Sequence, residues 1–175
     1  MMTVADFIRA DHREMERLFS ELKSPQRRAL TAPTIVVLLA AHSRAEESEV
    51  YPAVREDGSA DEVAHSQKEH IEADRLAARL ADTDLDSDTF QAVLHKLLDA
   101  VSHHIEEEES DVLPALDKLP EQTQKRLASA FLRVRAEHLM AGTTSMTRDE
   151  LQTQARNEGV DGTSSMTKRE LADSV

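Results

Sequence analysis

Apolar residues recur at intervals of three and four along most of the chain, the spacing that lines one face of an α-helix. From Thr3 to Leu22 the stripe is Ile8, His12, Met15, Phe19 and Leu22, and Thr3 with Asp6 makes a capping pair, so a first helix is predicted there. A second is predicted from Pro33, a favoured first helical residue, with Ile35, Leu38, Leu39, His42, Glu46 and Val50 on one face until Pro52 disturbs it. A third opens at the box Ser59 to Glu62 and carries Val63, Ser66, His70, Ala73, Ala77 and Leu80. The fourth, from about Ser87 to Leu116, runs through Leu94, Leu97, Val101, His104, Glu108 and Val112, with Pro114 near its end. Helices of roughly 20 to 30 residues are about 30 to 45 Å long and suit short connections. The expected fold is therefore all-α, an antiparallel four-helix bundle. A fifth amphipathic helix from Pro120 to Met140, with Leu127, Phe131, Val134 and His138 along one side, is expected to pack across it. The expected division is the bundle with its fifth helix over 1–140, a linker at 141–145 and a small module over 146–175.

Composition agrees with helices, since there are four Gly, one Tyr and no Trp. The absence of cysteine excludes disulfides, Cys-type zinc sites, iron–sulfur clusters and thiol nucleophiles, and it fits a reducing cytoplasm. With 21 bases against 34 acids the formal charge is −13, which argues against broad adhesion to nucleic acid or anionic membrane. No apolar run approaches ~20 residues and the start lacks the apolar segment of a signal peptide. A soluble, unexported, cytoplasmic protein with no membrane contact is expected.

The chain also repeats itself. His42 to Val54, HSRAEESEVYPAV, laid over His104 to Leu116, HIEEEESDVLPAL, shares seven identities: His, two Glu, Ser, Val, Pro and Ala. Asp11 to Leu22, DHREMERLFSEL, aligns likewise with Glu69 to Leu80, EHIEADRLAARL, so helices one and two recur as three and four, a duplicated helical hairpin. The repeat picks six polar residues on apolar stripes: His12, His42, Glu46, His70, His104 and Glu108. One such histidine reads as well as a packed core residue. Two buried carboxylates with four imidazoles, however, need compensation, which a pair of cations would supply. His and Glu four residues apart project from one helix face and reach one metal centre. Pseudo-twofold pairing then gives two metals with two His apiece, bridged by the carboxylates. Imidazole and carboxylate without thiolate favour iron or manganese and leave coordination positions open.

The order H, HxxxE, H, HxxxE on four helices resembles the hemerythrin-like HHE cation-binding family over roughly residues 1 to 140, and the EESEVYP and EEESDVLP tails match its habit. The resemblance implies a non-haem centre of two Fe ions with an oxo or hydroxo bridge, engaging oxygen, peroxide or nitric oxide. Respiratory hemerythrins pair two His on helix three and use HxxxxD on helix four. Here Ser66 stands four residues before His70, Asp74 stands four after it, and the helix-four acid is Glu108. That departure weighs against reversible oxygen carriage and toward peroxide or nitric oxide handling, as a peroxidase-like or nitric oxide peroxidase-like activity. The alternatives are a non-catalytic redox sensor or metal store signalling through the C-terminal module, and a metal-free structural bundle.

The remaining polar residues divide between site and surface. Tyr51, whose counterpart is Leu113, either donates a hydrogen bond or proton beside the centre or packs at a helix end. His65 lies about 140° around the helix from His70 and reads as surface, as does His95. His103 and Glu107 form another i, i+4 pair, but the duplication and the distance to Pro114 select His104 and Glu108. His138 reads either as a fifth imidazole near the bundle end or as an ordinary helix residue. Glu106, Glu107, Glu109 and Glu47 read as a solvated acidic face, while Asp11 and Glu69 are candidates to hold imidazole N–H groups. SMTRDEL at 145 and SMTKREL at 165 each read as a Thr N-cap and a helix start. The pair resembles small Rho-terminator N-terminal or SAP-like modules. Residues 146–175 carry four bases and six acids, net −2, and no aromatic platform, so nucleic-acid binding there is weakly supported against protein docking or a merely folded tail.

Overall fold

The computed structural model describes residues 2–56, 58–142 and 145–175, and the described residues are helical with no strand. Positions 143 and 144 of the expected linker lie outside the described residues. Helix α1 spans Val4–Leu22, and Thr3 caps it in a reciprocal box with Asp6, as the sequence predicts. Helix α2 spans Pro25–Ala45, and this corrects the start expected at Pro33. Pro25 occupies the first helical position, where its missing N–H costs nothing. Pro33 sits inside the helix, eight residues further on. Helix α4, Ala60–Ala81, starts after Ser59, whose side chain makes no cap bond, so the predicted box to Glu62 does not form.

Pro52, read as disturbing its helix, and Pro114, read near the end of its own, have a more specific effect. After α2 the helix widens into a π-turn over Glu46–Val50 and continues as α3, Tyr51–Glu56. After α5, Asp88–Glu107, a second π-turn over Glu108–Val112 leads into α6, Leu113–Asp117. In each, a backbone N–H reaches five residues back: Tyr51 to the Glu46 carbonyl and Leu113 to the Glu108 carbonyl. Pro52 and Pro114 follow directly. Proline has no N–H and its ring presses on the carbonyl four residues earlier, so a widened turn relieves both defects without ending the helix. Each candidate acid, Glu46 and Glu108, opens such a turn.

Helix α7, Glu121–Ala141, packs on α1, α2 and the first π-turn. The tail forms α8, Arg148–Asn157, and α9, Lys168–Ser174, each with a Thr capping box as read from the repeat. Gly159, at φ +83°, ends α8 in a Schellman turn, in which Val160 N–H donates to the Ala155 carbonyl at 2.8 Å and Gly159 N–H to the Arg156 carbonyl at 3.0 Å. Leu151, Ala155 and Leu171 give the module its own small apolar cluster, and α8 docks on α4 and the first π-turn.

Two larger apolar clusters fill the body. One gathers Met15, Phe19, Leu39, Leu80, Phe90 and Leu97, and the other Ile8, Val50, Tyr51, Val63, Leu113 and Phe131. The polar stripe residues lie between them, since His12 follows Ile8 and precedes Met15 on the same face of α1. Among the described residues no helix is long and apolar enough to cross a membrane.

Candidate metal centre

The structure brings the six repeat-selected residues together in the interior. His12, His42, Glu46, His70 and Glu108 are at most 2 % exposed and His104 is 6 % exposed. Donor atoms of His12, His42, Glu46 and Glu108 all lie within 4.8 Å of one another, as do those of Glu46, His70 and His104. Glu46 thus belongs to both groups. Its Oε2 is 3.2 Å from His42 Nε2 and 3.4 Å from His70 Nε2, while Glu108 Oε2 is 3.1 Å from His12 Nε2 and 3.9 Å from His104 Nε2.

The other nitrogen of every imidazole faces a carboxylate. His42 Nδ1 is 3.3 Å from Asp11 and His104 Nδ1 is 2.9 Å from Glu69, so both candidate acids act on a histidine of the neighbouring helix and not on their own. His12 Nδ1 is 2.9 Å from Glu109, and His70 Nδ1 is 3.4 Å from Glu47, a close but poorly aligned approach. These four pairs obey the duplication: Asp11 corresponds to Glu69 and Glu47 to Glu109. Two surface assignments are thereby corrected. Glu47 is 1 % exposed, and Glu109 is half-buried with its carboxylate on His12. The extra residue accommodated by each π-turn aims the second acid of the EE pair inward, where a regular helix periodicity places it outside.

Acceptors at Nδ1 select the tautomer with its proton there and leave Nε2 a bare lone pair toward the centre. His70 Nε2 and His104 Nε2 then face each other at 3.0 Å. Among the described residues His12 Nε2, His42 Nε2 and the carboxylate oxygens of Glu46 and Glu108 are buried without an aligned hydrogen-bond partner. Orphaned buried acceptors that converge on one place are what metal cations satisfy, and the His/Glu donor set fits them. Without metal, His42 and His70 carry compensating charge. Burial lowers His42, but Glu46 and Asp11 outweigh it and raise its pKa to about 10. At His70 burial is likewise outweighed by Glu46 and Glu47, which raise it to about 9. Burial pushes Glu46 up, and His42 and His70 reverse this, holding it well below its ordinary 4.5.

A cavity of about 10 Å³ lies among His12, His42, His70 and His104, walled by Met15, Leu39, Val101 and Ile105. That is the order of volume that admits one water-sized particle. On the opposite side Tyr51 is fully buried, stacked on His70, with its hydroxyl 3.1 Å from His70 Nε2. The ring therefore addresses the centre itself. Burial, then Glu108, Glu46 and Glu47, hold its pKa well above 10, so the phenol keeps its proton.

The other histidines stand elsewhere. His65, His95 and His103 have side chains 59 %, 76 % and 61 % exposed. His138 lies 3.5 Å from Glu150 of the tail and joins neither buried group.

A further set of contacts has no periodic signature in the sequence. Arg135 of α7 clamps Asp11 with two bonds of 2.6 and 2.7 Å. Arg44 donates to Glu47 at 2.5 Å and also to Asp74. Gln67 and the tail's Gln154 donate to Glu47 Oε1 at 2.8 and 3.1 Å, and Asn157 donates to the Glu47 carbonyl and to Gln67 Oε1. Burial raises Glu47, and Arg44 ahead of His70 and Gln67 reverses this and brings it to about 2. The C-terminal module is therefore built against the carboxylate that faces His70.

Residues 3–116 match the family model described as the hemerythrin HHE cation-binding domain. The match covers well over half of the chain, which belongs to that family. A DNA nickase of Nostoc sp. is 29 % identical over 134 residues, which are 74 % of this chain and 38 % of the relative, so the chain spans well under half of that protein's length. No solved structure matches significantly.

Proposed function

We propose that this chain is a non-haem di-iron protein that binds or decomposes small oxidants such as peroxide, nitric oxide or oxygen in its interior. The observation that carries the reading is the pair of buried donor groups sharing Glu46, with orphaned Nε2 and carboxylate atoms. His12 and His42 would hold one ion, His70 and His104 the other, with Glu46 and Glu108 between them, on four long helices arranged as an antiparallel bundle. Iron supplies one-electron chemistry toward small oxidants when bound. The chain supplies the rest. Asp11, Glu47, Glu69 and Glu109 hold the imidazole rings in orientation, and Met15, Leu39, Val101 and Ile105 limit the small cavity to a ligand about the size of one water. Tyr51 offers a protonated hydroxyl at the far side of the donors. Purified protein reconstituted with Fe(II) should hold two irons per chain and consume peroxide, and Glu46→Ala should lose both. Iron binding without turnover would refute the enzymatic half of the reading alone.

A second reading is favoured by the tail. Gln154 and Asn157 bond the residue that faces His70, so a change at the centre has a direct polar path to α8, as a sensor or metal store needs. Release of the tail on iron reduction, read by proteolysis or hydrogen exchange, separates sensor from enzyme. Nucleic acid as a partner of 146–175 rests on the name of the Nostoc relative and on the module resemblance. Arg148 is already engaged with the Ser164 and Met166 carbonyls. A low-salt gel shift with the full chain tests it, and no retardation rejects it. A cytoplasmic setting accords with a cysteine-free chain.

A further inference from the structure

The buried centre leaves unused a second pair of His and Glu steps. His65 and Glu69 stand four residues apart on α4 and His103 and Glu107 four apart on α5; donor atoms of His65, Glu69 and Glu107 all lie within 4.8 Å of one another, and His103 approaches both glutamates. His65 Nε2 is 2.8 Å from Glu107 Oε2, and His103 Nε2 is 3.2 Å from Glu107 Oε1. Both Nε2 atoms lie 3.8 Å from Glu69 Oε1. A tetrahedral ion with bonds of about 2.0 to 2.1 Å keeps its donors about 3.4 Å apart, a value that the His–Glu distances of 2.8 to 3.8 Å bracket. The other oxygen of Glu69, Oε2, is the one 2.9 Å from His104 Nδ1.

This cluster is not inherited from the duplication. The positions corresponding to His65, His103 and Glu107 are Phe7, Ala41 and Ala45, and the acid corresponding to Glu69 is Asp11, which the Arg135 guanidinium neutralises. At the Glu69 end two imidazoles stand where the other end has a fixed positive charge. A cleft of about 280 Å³ opens beside them, lined by Asp61, Glu62, His65, Ser66, Glu107 and Asp111, so its polar wall is mostly acidic and attracts cations.

We propose that His65, Glu69, His103 and Glu107 form an accessory surface site for a divalent transition-metal ion, one carboxylate removed from His104. Two imidazoles and two carboxylates without a thiolate suit ions of the Zn(II) and Fe(II) class, and the two carboxylates balance the double charge. The acidic cleft delivers the ion, and Glu69 ties the outer donors to the buried ones.

The test is a Zn(II) titration of the full chain against a chromophoric competitor, alongside a His65→Ala/His103→Ala variant. Both side chains are more than half exposed, so the variant keeps its fold, which helical circular dichroism verifies. The wild type should bind one more Zn(II) per chain than the variant. Glu107→Gln alone should weaken that step by at least about ten-fold, since even the neighbours of metal ligands matter on that scale. Because the site is read as a difference between proteins, the result does not depend on which metal the interior takes. Equal Zn(II) counts for wild type and double variant overturn the proposal.

Discussion

In the first half of the duplicated hairpin, Asp11 faces His42 and is gripped by Arg135, whereas in the second half the corresponding Glu69 faces His104 and meets His65 and His103. Glu47 is buried beneath Gln154 and Asn157, whereas its counterpart Glu109 is half-exposed and held by Arg13 at the surface. Tyr51 reaches into the donors, whereas Leu113 is simply part of an apolar cluster. The inner donors are shared and the outer supports differ because later elements cover the halves unequally. Helix α7 lies on α1 and α2, and α8 lies against the first π-turn and α4. The comparison teaches that the duplication builds the centre and the additions make its two ends chemically distinct.

The largest expected effect breaks the shared core. Glu46→Gln removes the residue common to both donor groups, so bound iron should fall from about two per chain to near zero by elemental analysis. Glu108→Gln should be milder, because Glu108 enters one group. Next, Arg135→Ala takes the guanidinium from the buried Asp11 carboxylate and leaves it with His42 alone. It should cost about 2 kcal/mol in denaturant unfolding, while His65→Ala in the other half should cost less than ~1 kcal/mol because that side chain is exposed. Asn157→Ala strips bonds from the Glu47 carbonyl and from Gln67 and should cost about 1 to 3 kcal/mol. Its mirror test, Arg13→Ala beside Glu109, should stay within ~1 kcal/mol by the same unfolding assay, Arg13 being 56 % exposed. Tyr51→Phe, at the far end of the same network, is expected to cost about 1 kcal/mol. It should also leave iron content unchanged while altering the dissociation rate of a bound small ligand by stopped-flow absorption. An unchanged rate assigns the ring to packing alone.

The all-helical fold and the convergence of the six candidate residues in the interior were legible because duplication repeats their signal, so that one ambiguous histidine becomes four in register. The outer supports were not. Glu47 and Glu109 sit in acidic runs that a regular 3.6-residue period turns to solvent, and the π-turns move them inward. The signal for those turns was present in Pro52 and Pro114, each six residues beyond a candidate acid, but a proline more commonly announces a helix end. Pro33 misled in the opposite sense, since Pro25 already occupies the first helical position. Arg135, Gln154 and Asn157 act across more than a hundred residues of sequence, through polar contacts that no periodicity encodes.

In the proposed function the two donor groups sharing Glu46 hold two irons. Anaerobic reconstitution with Fe(II), removal of excess metal, and iron counting against protein concentration together with the absorption spectrum after oxygen exposure test it most directly. Two irons per chain with an oxo-to-iron charge-transfer band are predicted. A chain that retains no iron, and whose thermal stability is the same with and without added metal, contradicts the account.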